Sequence, residues 1–149
     1  MQLTNNFSLE ELCVTSTGIK NVPNEEQTKN LDKLAENVLQ PIRDHFRTSI
    51  HIISGYRSPA CNKAVGGAKN SDHLKGMASD IDQPGHSRVT NKMIFDYIKE
   101  NLEFRQLIWE FGDGNNPAWV HVSYNENDNK GEVLKAVKKN GKTIYQKVL

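Results

Sequence analysis

The chain carries almost no net charge. Nineteen lysines and arginines meet 18 aspartates and glutamates, for a formal +1 at pH 7. That balance lacks the electrostatic footprint of a nucleic-acid or anionic-membrane binder, so neither partner is expected. The lysines near the C-terminus are spaced along a predicted hairpin, where a solvated face accounts for them. No apolar run approaches the roughly 20 residues needed to cross a bilayer. The opening stretch MQLTNNFSLEEL has no charged segment followed by an apolar one, so no signal peptide is expected. Cysteine is scarce: Cys13 and Cys61 form no CxxC pair and read as unpaired small hydrophobes of a reducing compartment. Internal repeats and low-complexity linkers are also missing. One compact domain spanning 1–149 is expected, long enough to bury an ordinary core without staples.

What is present is clear periodicity. Ser8 and Glu11 form a capping-box pattern with Phe7 as staple, which predicts a short helix. A second helix starts near Asn24. Leu31, Leu34, Ala35, Val38, Leu39 and Ile42 recur at helical spacing along it, and Pro41 is expected to kink or split it. SIHIIS alternates and is β-branched, so it reads as a strand carrying a half-exposed His51. SPACNKAVGG predicts a two-turn helix with Ser58 as N-cap, Pro59 at the first position and Gly66 as the stop. Residues 68–76 read as loop, and MASDID reads as a strand with Asp80 and Asp82 on one face. TNKMIFDYIKENL predicts an amphipathic helix capped by Thr90. RQLIWEF and WVHVSY read as strands around the turn formers GDGNNPA. VLKAVKK and KTIYQKV flank Asn140-Gly141, a strong hairpin signal. Helices come first and antiparallel strands follow, a pattern of the α+β class.

Five histidines offer chemistry. His45 ends a helix, where a cation suits the dipole, and His86 lies in a turn. His73 precedes Asp80 by seven residues, and His121 sits in a strand between Val120 and Val122. By pattern alone His73 and His121 suit either an ordinary packed position or a ligand. Two histidines and one carboxylate are also the ligand set of a zinc with an open fourth position.

SGYRSPACNKAVGGAKNSDHLKGMASDID followed by WVHVSY resembles the zinc D-Ala-D-Ala carboxypeptidases and related peptidoglycan peptidases of the M15 family. The shared pattern stands here as Ser71, His73, Gly76, Ala78 and Asp80, with SGYRS before it and VHVS after. NFSLEEL and LAENVLQPIRDHF also resemble the small single-domain branch, so the likeness covers nearly the whole chain. It implies a small antiparallel sheet flanked by helices, as in hedgehog-like DD-peptidase folds. It further implies one zinc ion held by His73, Asp80 and His121, Arg57 on the scissile carbonyl or substrate carboxylate, and Ser71 holding the substrate.

One position departs from the family pattern. Well-known members carry the catalytic acid three residues before the last histidine, where this chain has Ala118. Glu110 in LIWEFG resembles the glutamate of the small branch and is the expected general base, with Asp113 as the runner-up. Glu110 shares a face with His121 if the two strands pair them directly or two residues off. Asp82 would either orient a ligand histidine or be solvated. The resemblance thus implies a zinc peptidase cutting a peptidoglycan stem or cross-bridge, with endopeptidase favoured over carboxypeptidase. Without a leader, a monomeric phage lysin or virion-borne wall hydrolase is expected. The alternative is a zinc-containing cell-wall binding module that has lost hydrolysis.

Overall fold

Residues 1–148 are described by a computed structural model, and they form an α+β fold around one mixed sheet. The first predicted helix shrinks to a single 3-10 turn, Glu11–Cys13. Ser8 Oγ does accept from Glu11 N at 3.2 Å, so the cap forms. The turn cannot propagate because the Leu12 carbonyl accepts from Tyr56 N–H at 2.8 Å instead of from the next helical turn. Helix α1 (Glu25–Leu34) follows, with Asn24 and Gln27 closing a capping box. It runs through a π-helical turn, Ala35–Leu39, into α2 (Gln40–Phe46). Pro41 therefore does not break the helix. A proline lacks an N–H and crowds the carbonyl four residues back; widening that turn, with Gln40 N–H bonding to the Ala35 carbonyl, absorbs the misfit.

The remaining elements are β1 (Ile52–Ser54), α3 (Pro59–Ala64), β2 (Ala78–Ile81), α4 (Asn91–Asn101), β3 (Gln106–Glu110), β4 (Trp119–Ser123), β5 (Glu132–Lys139) and β6 (Lys142–Lys147). Ser58 and Thr90 cap α3 and α4, accepting from Cys61 N and Met93 N. His51 lies just before β1, exposed, rather than within the strand. The stretch 68–76 is more ordered than a loop, because Asp72–Lys75 forms a 3-10 turn. Cys13 and Cys61 are both free thiols.

The sheet order is β1-β2-β4-β3-β5-β6. All neighbours are antiparallel except β3 and β5, which run parallel. The hairpin β5–β6 turns at Asn140 and Gly141, both at positive φ, as its sequence predicts. Alternation gives the sheet two unlike faces. Leu107, Trp109, Val120 and Val122 pack into the main core with Leu31, Leu34 and Ile42 of the α1–α2 helix and Ile94, Phe95 and Ile98 of α4. Each such burial contributes about 1.5–3 kcal/mol, so the helices are held firmly to that side. Asp80, Ile108, Glu110 and His121 alternate with these core positions and point the other way. There Ile108 and Leu134, clustered with Ala136, line one side of an open cleft.

Candidate metal centre

The motif around His73 is built to fix one ring. Ser71 Oγ accepts from His73 N at 3.2 Å and caps the 3-10 turn. The turn ends at Gly76, whose φ of +72° favours glycine, and a Cβ there would lie 2.5 Å from the Gln27 carbonyl oxygen of α1. The segment after β1 then clasps the histidine twice. Arg57 N donates to the His73 carbonyl at 3.0 Å, and the His73 ring bonds through Nδ1 to the Gly55 carbonyl at 2.6 Å. A carbonyl can only accept, so Nδ1 carries the proton and Nε2 is left with a bare lone pair. This clasp explains SGYRS structurally: Gly55 must be bare, since a Cβ would sit 2.2 Å from the Leu12 carbonyl oxygen.

Register delivers the other two groups. Asp80 pairs with His121 across β2 and β4. Asp80 Oδ2 stands 3.3 Å from His73 Nε2, and Asp80 Oδ1 stands 3.2 Å from His121 Nδ1. One ligand atom from each residue falls within 4.8 Å of the others. His73 Nε2 and His121 Nε2 are both buried and make no hydrogen bond among the described residues. A lone pair aimed at a carboxylate oxygen repels it unless a cation lies between them. Two imidazoles and a carboxylate arranged this way fit a divalent metal with nitrogen and oxygen preferences such as zinc, and the cleft leaves a side open.

Glu110 faces the same cleft. It pairs with Trp119, while His121 pairs with Ile108, so Glu110 and His121 are two residues off on one face. Glu110 is 8% exposed. Burial raises its pKa from 4.5 to about 7; Asp80 pushes the same way, and His121, Trp119 and Arg57 oppose. Arg57 also lines the cleft. Burial pulls its pKa below the ordinary value, and Nε has no partner among the described residues. No carboxylate pairs with it there, so the structural ion pair it could have made is absent among those residues.

Other candidates lie apart. Asp113 is exposed, and its Oδ1 accepts from Asn115 N at 2.8 Å and Asn116 N at 3.0 Å, so it shapes the β3–β4 turn. Asp82 accepts from Asn91 Nδ2 at 2.9 Å, and Asn91 also donates to the Pro117 and Ala118 carbonyls. The Asp82 carboxylate therefore braces that loop rather than a ligand histidine, and its backbone carbonyl bonds the His51 ring at 2.9 Å. Ala118 is exposed, and its N–H donates to the Glu110 carbonyl. His45 stacks on Tyr97, and His86 is exposed. A half-buried pair escaped the sequence reading: Arg105 donates to Asp72 Oδ2 at 2.6 Å beside the cleft. Its partners are 33 residues apart, so no local pattern marks it.

The family model described as Peptidase M15 matches residues 5–123 of the chain, a segment holding His73, Asp80, Glu110 and His121. No curated protein matches the chain.

Proposed function

The chain belongs to the peptidase M15 family, a family of zinc-dependent peptidases, and from that premise we propose that it hydrolyses a peptide bond of the peptidoglycan stem or cross-bridge. The observation that carries the reading is the convergence of His73, Asp80 and His121 on the lining of an open 740 Å³ cleft, with Glu110 on the same face. His73, Asp80 and His121 would hold one zinc ion. Bound there, zinc supplies a Lewis acid and brings the pKa of water from about 15.7 toward 7.

The chain's own groups do the rest of the work. Glu110 takes a proton from the attacking water at its carboxylate and returns it to the leaving amine. Its burial suits it to both tasks, because a carboxyl near pH 7 accepts and releases a proton with little bias. Arg57 keeps its guanidinium free of a protein carboxylate and donates to the charge that develops on the scissile carbonyl oxygen. Ser71 lines the cleft beside the first histidine and holds substrate there. Its Oγ already accepts from His73 N and retains its own hydrogen for donation.

Mass spectrometry of peptidoglycan digests tests this reading. Zinc-loaded protein should generate new amino termini within the stem or bridge, and chelation should stop it until zinc is returned. A folded, zinc-loaded protein that binds cell wall without releasing fragments would overturn hydrolysis and leave a binding module.

A further inference from the structure

The cleft has a wall that the peptidase motifs do not touch. The β5–β6 hairpin lies beyond the family-matched segment, yet Leu134, Lys138, Thr143 and Tyr145 all line the cleft that holds His121 and Glu110. The parallel pairing of β3 with β5 puts it there. Register then runs one row of residues across four strands: Trp119, Glu110, Ala136 and Tyr145. Ala136 is fully buried and small, so little stands between Tyr145 and Glu110. Two strand spacings amount to about 10 Å. That separation sets the Tyr145 and Glu110 backbones on opposite sides of the cleft their side chains line.

Beside Leu134, the side chains of Lys138, Thr143 and Tyr145 on this wall are polar and make no hydrogen bond or ion pair among the described residues. Tyr145 is 54% exposed, and its hydroxyl bonds to no protein group among the described residues. Burial of the ring, with the Glu110 and Asp80 carboxylates nearby, holds the phenol above its ordinary range, so it remains a donor at neutral pH. Lys138 pairs across the hairpin with Thr143, and its Nζ stands 5.7 Å from the centre of the Phe111 ring. No carboxylate pairs with Lys138 among the described residues, whereas Arg105 on the same cleft is already tied to Asp72 and Asp128. Lys138 is thus a cleft-lining positive charge of the hairpin with no carboxylate partner among the described residues.

We infer that the β5–β6 hairpin is a substrate-holding wall, on which Lys138 binds a free carboxylate of the peptide and Tyr145 donates its phenolic hydrogen to the peptide backbone. This rests on the peptidase reading for the bond but not for the wall, since binding can be measured without cleavage.

The test uses two stem-like peptides, identical except that the carboxylate is free in one and amidated in the other. Lys138→Gln, Lys138→Arg and Tyr145→Phe change exposed ends of side chains, and thermal melts would check that each folds. Calorimetry on zinc-loaded protein should show the wild type binding the free acid at least tenfold tighter than the amide. Lys138→Gln should erase the preference, and Lys138→Arg should restore most of it. Tyr145→Phe should weaken both peptides severalfold with zinc content unchanged. In turnover assays the same changes should fall on KM, with kcat kept. Cleavage or binding unaltered in all the variants would overturn the wall and spare the peptidase. Binding with the predicted preference but no cleavage would support the wall and overturn the peptidase.

Discussion

Replacing Glu110 by glutamine should stabilise the metal-free protein while abolishing hydrolysis. Glu110 is 8% exposed, and burial carries its pKa from 4.5 to about 7. An acid whose pKa is higher in the folded state releases its proton more readily when unfolded. Ionising it therefore costs the fold stability. The cost is absent below about pH 4.5, grows between 4.5 and 7, and is complete above that. At 1.36 kcal/mol per pH unit, the full cost is about 3 kcal/mol. Glutamine keeps the shape without the charge. For a chain of this size each kcal/mol moves Tm by roughly 2–4 °C. Thermal unfolding in chelator, wild type against Glu110→Gln, should show the variant melting several degrees higher at pH 8.5 and the two coinciding at pH 4. The same variant, loaded with zinc, should release no fragments from peptidoglycan. Equal melting temperatures at every pH would refute the account of Glu110 as a buried, strained carboxylate.

Two further substitutions probe separate parts of the account. Gly76→Ala combines a φ of +72° with a Cβ 2.5 Å from the Gln27 carbonyl oxygen. It should cost about 2 kcal/mol or more in denaturant unfolding and loosen zinc affinity by displacing the His73 turn. Arg57→Lys keeps the charge but loses the forked donor, and should lower kcat about 100-fold with zinc content unchanged, as read by steady-state cleavage of a stem peptide.

Much of this arrangement was legible in the sequence, because local chemistry announces itself locally. Asn24, Ser58 and Thr90 mark helix starts that the structure keeps, and Asn140-Gly141 marks the hairpin. Alternation in WVHVSY put His121 on the face opposite Val120 and Val122, and the β3–β4 register offset anticipated for Glu110 is one of the two the pleat allowed. What was not legible depends on distant groups. The Ser8 cap forms, but Tyr56 takes the Leu12 carbonyl and ends the helix. Pro41 predicts a break, but a π-helical turn takes up the strain. The parallel pairing of β5 with β3 has no signature in either strand, so the hairpin's place on the cleft could not be read. The likeness of SDHLKGMASDID to a metal motif named candidate ligands. Only the Gly55 carbonyl shows which nitrogen of His73 is free to face Asp80.

The account stands or falls on the metal. Elemental analysis of purified protein, loaded with zinc and dialysed, should give one zinc per chain for the wild type. It should give close to none for His121→Ala, whose melt should remain cooperative. A wild type that retains no zinc, or a His121→Ala variant that retains it fully, would contradict the central claim.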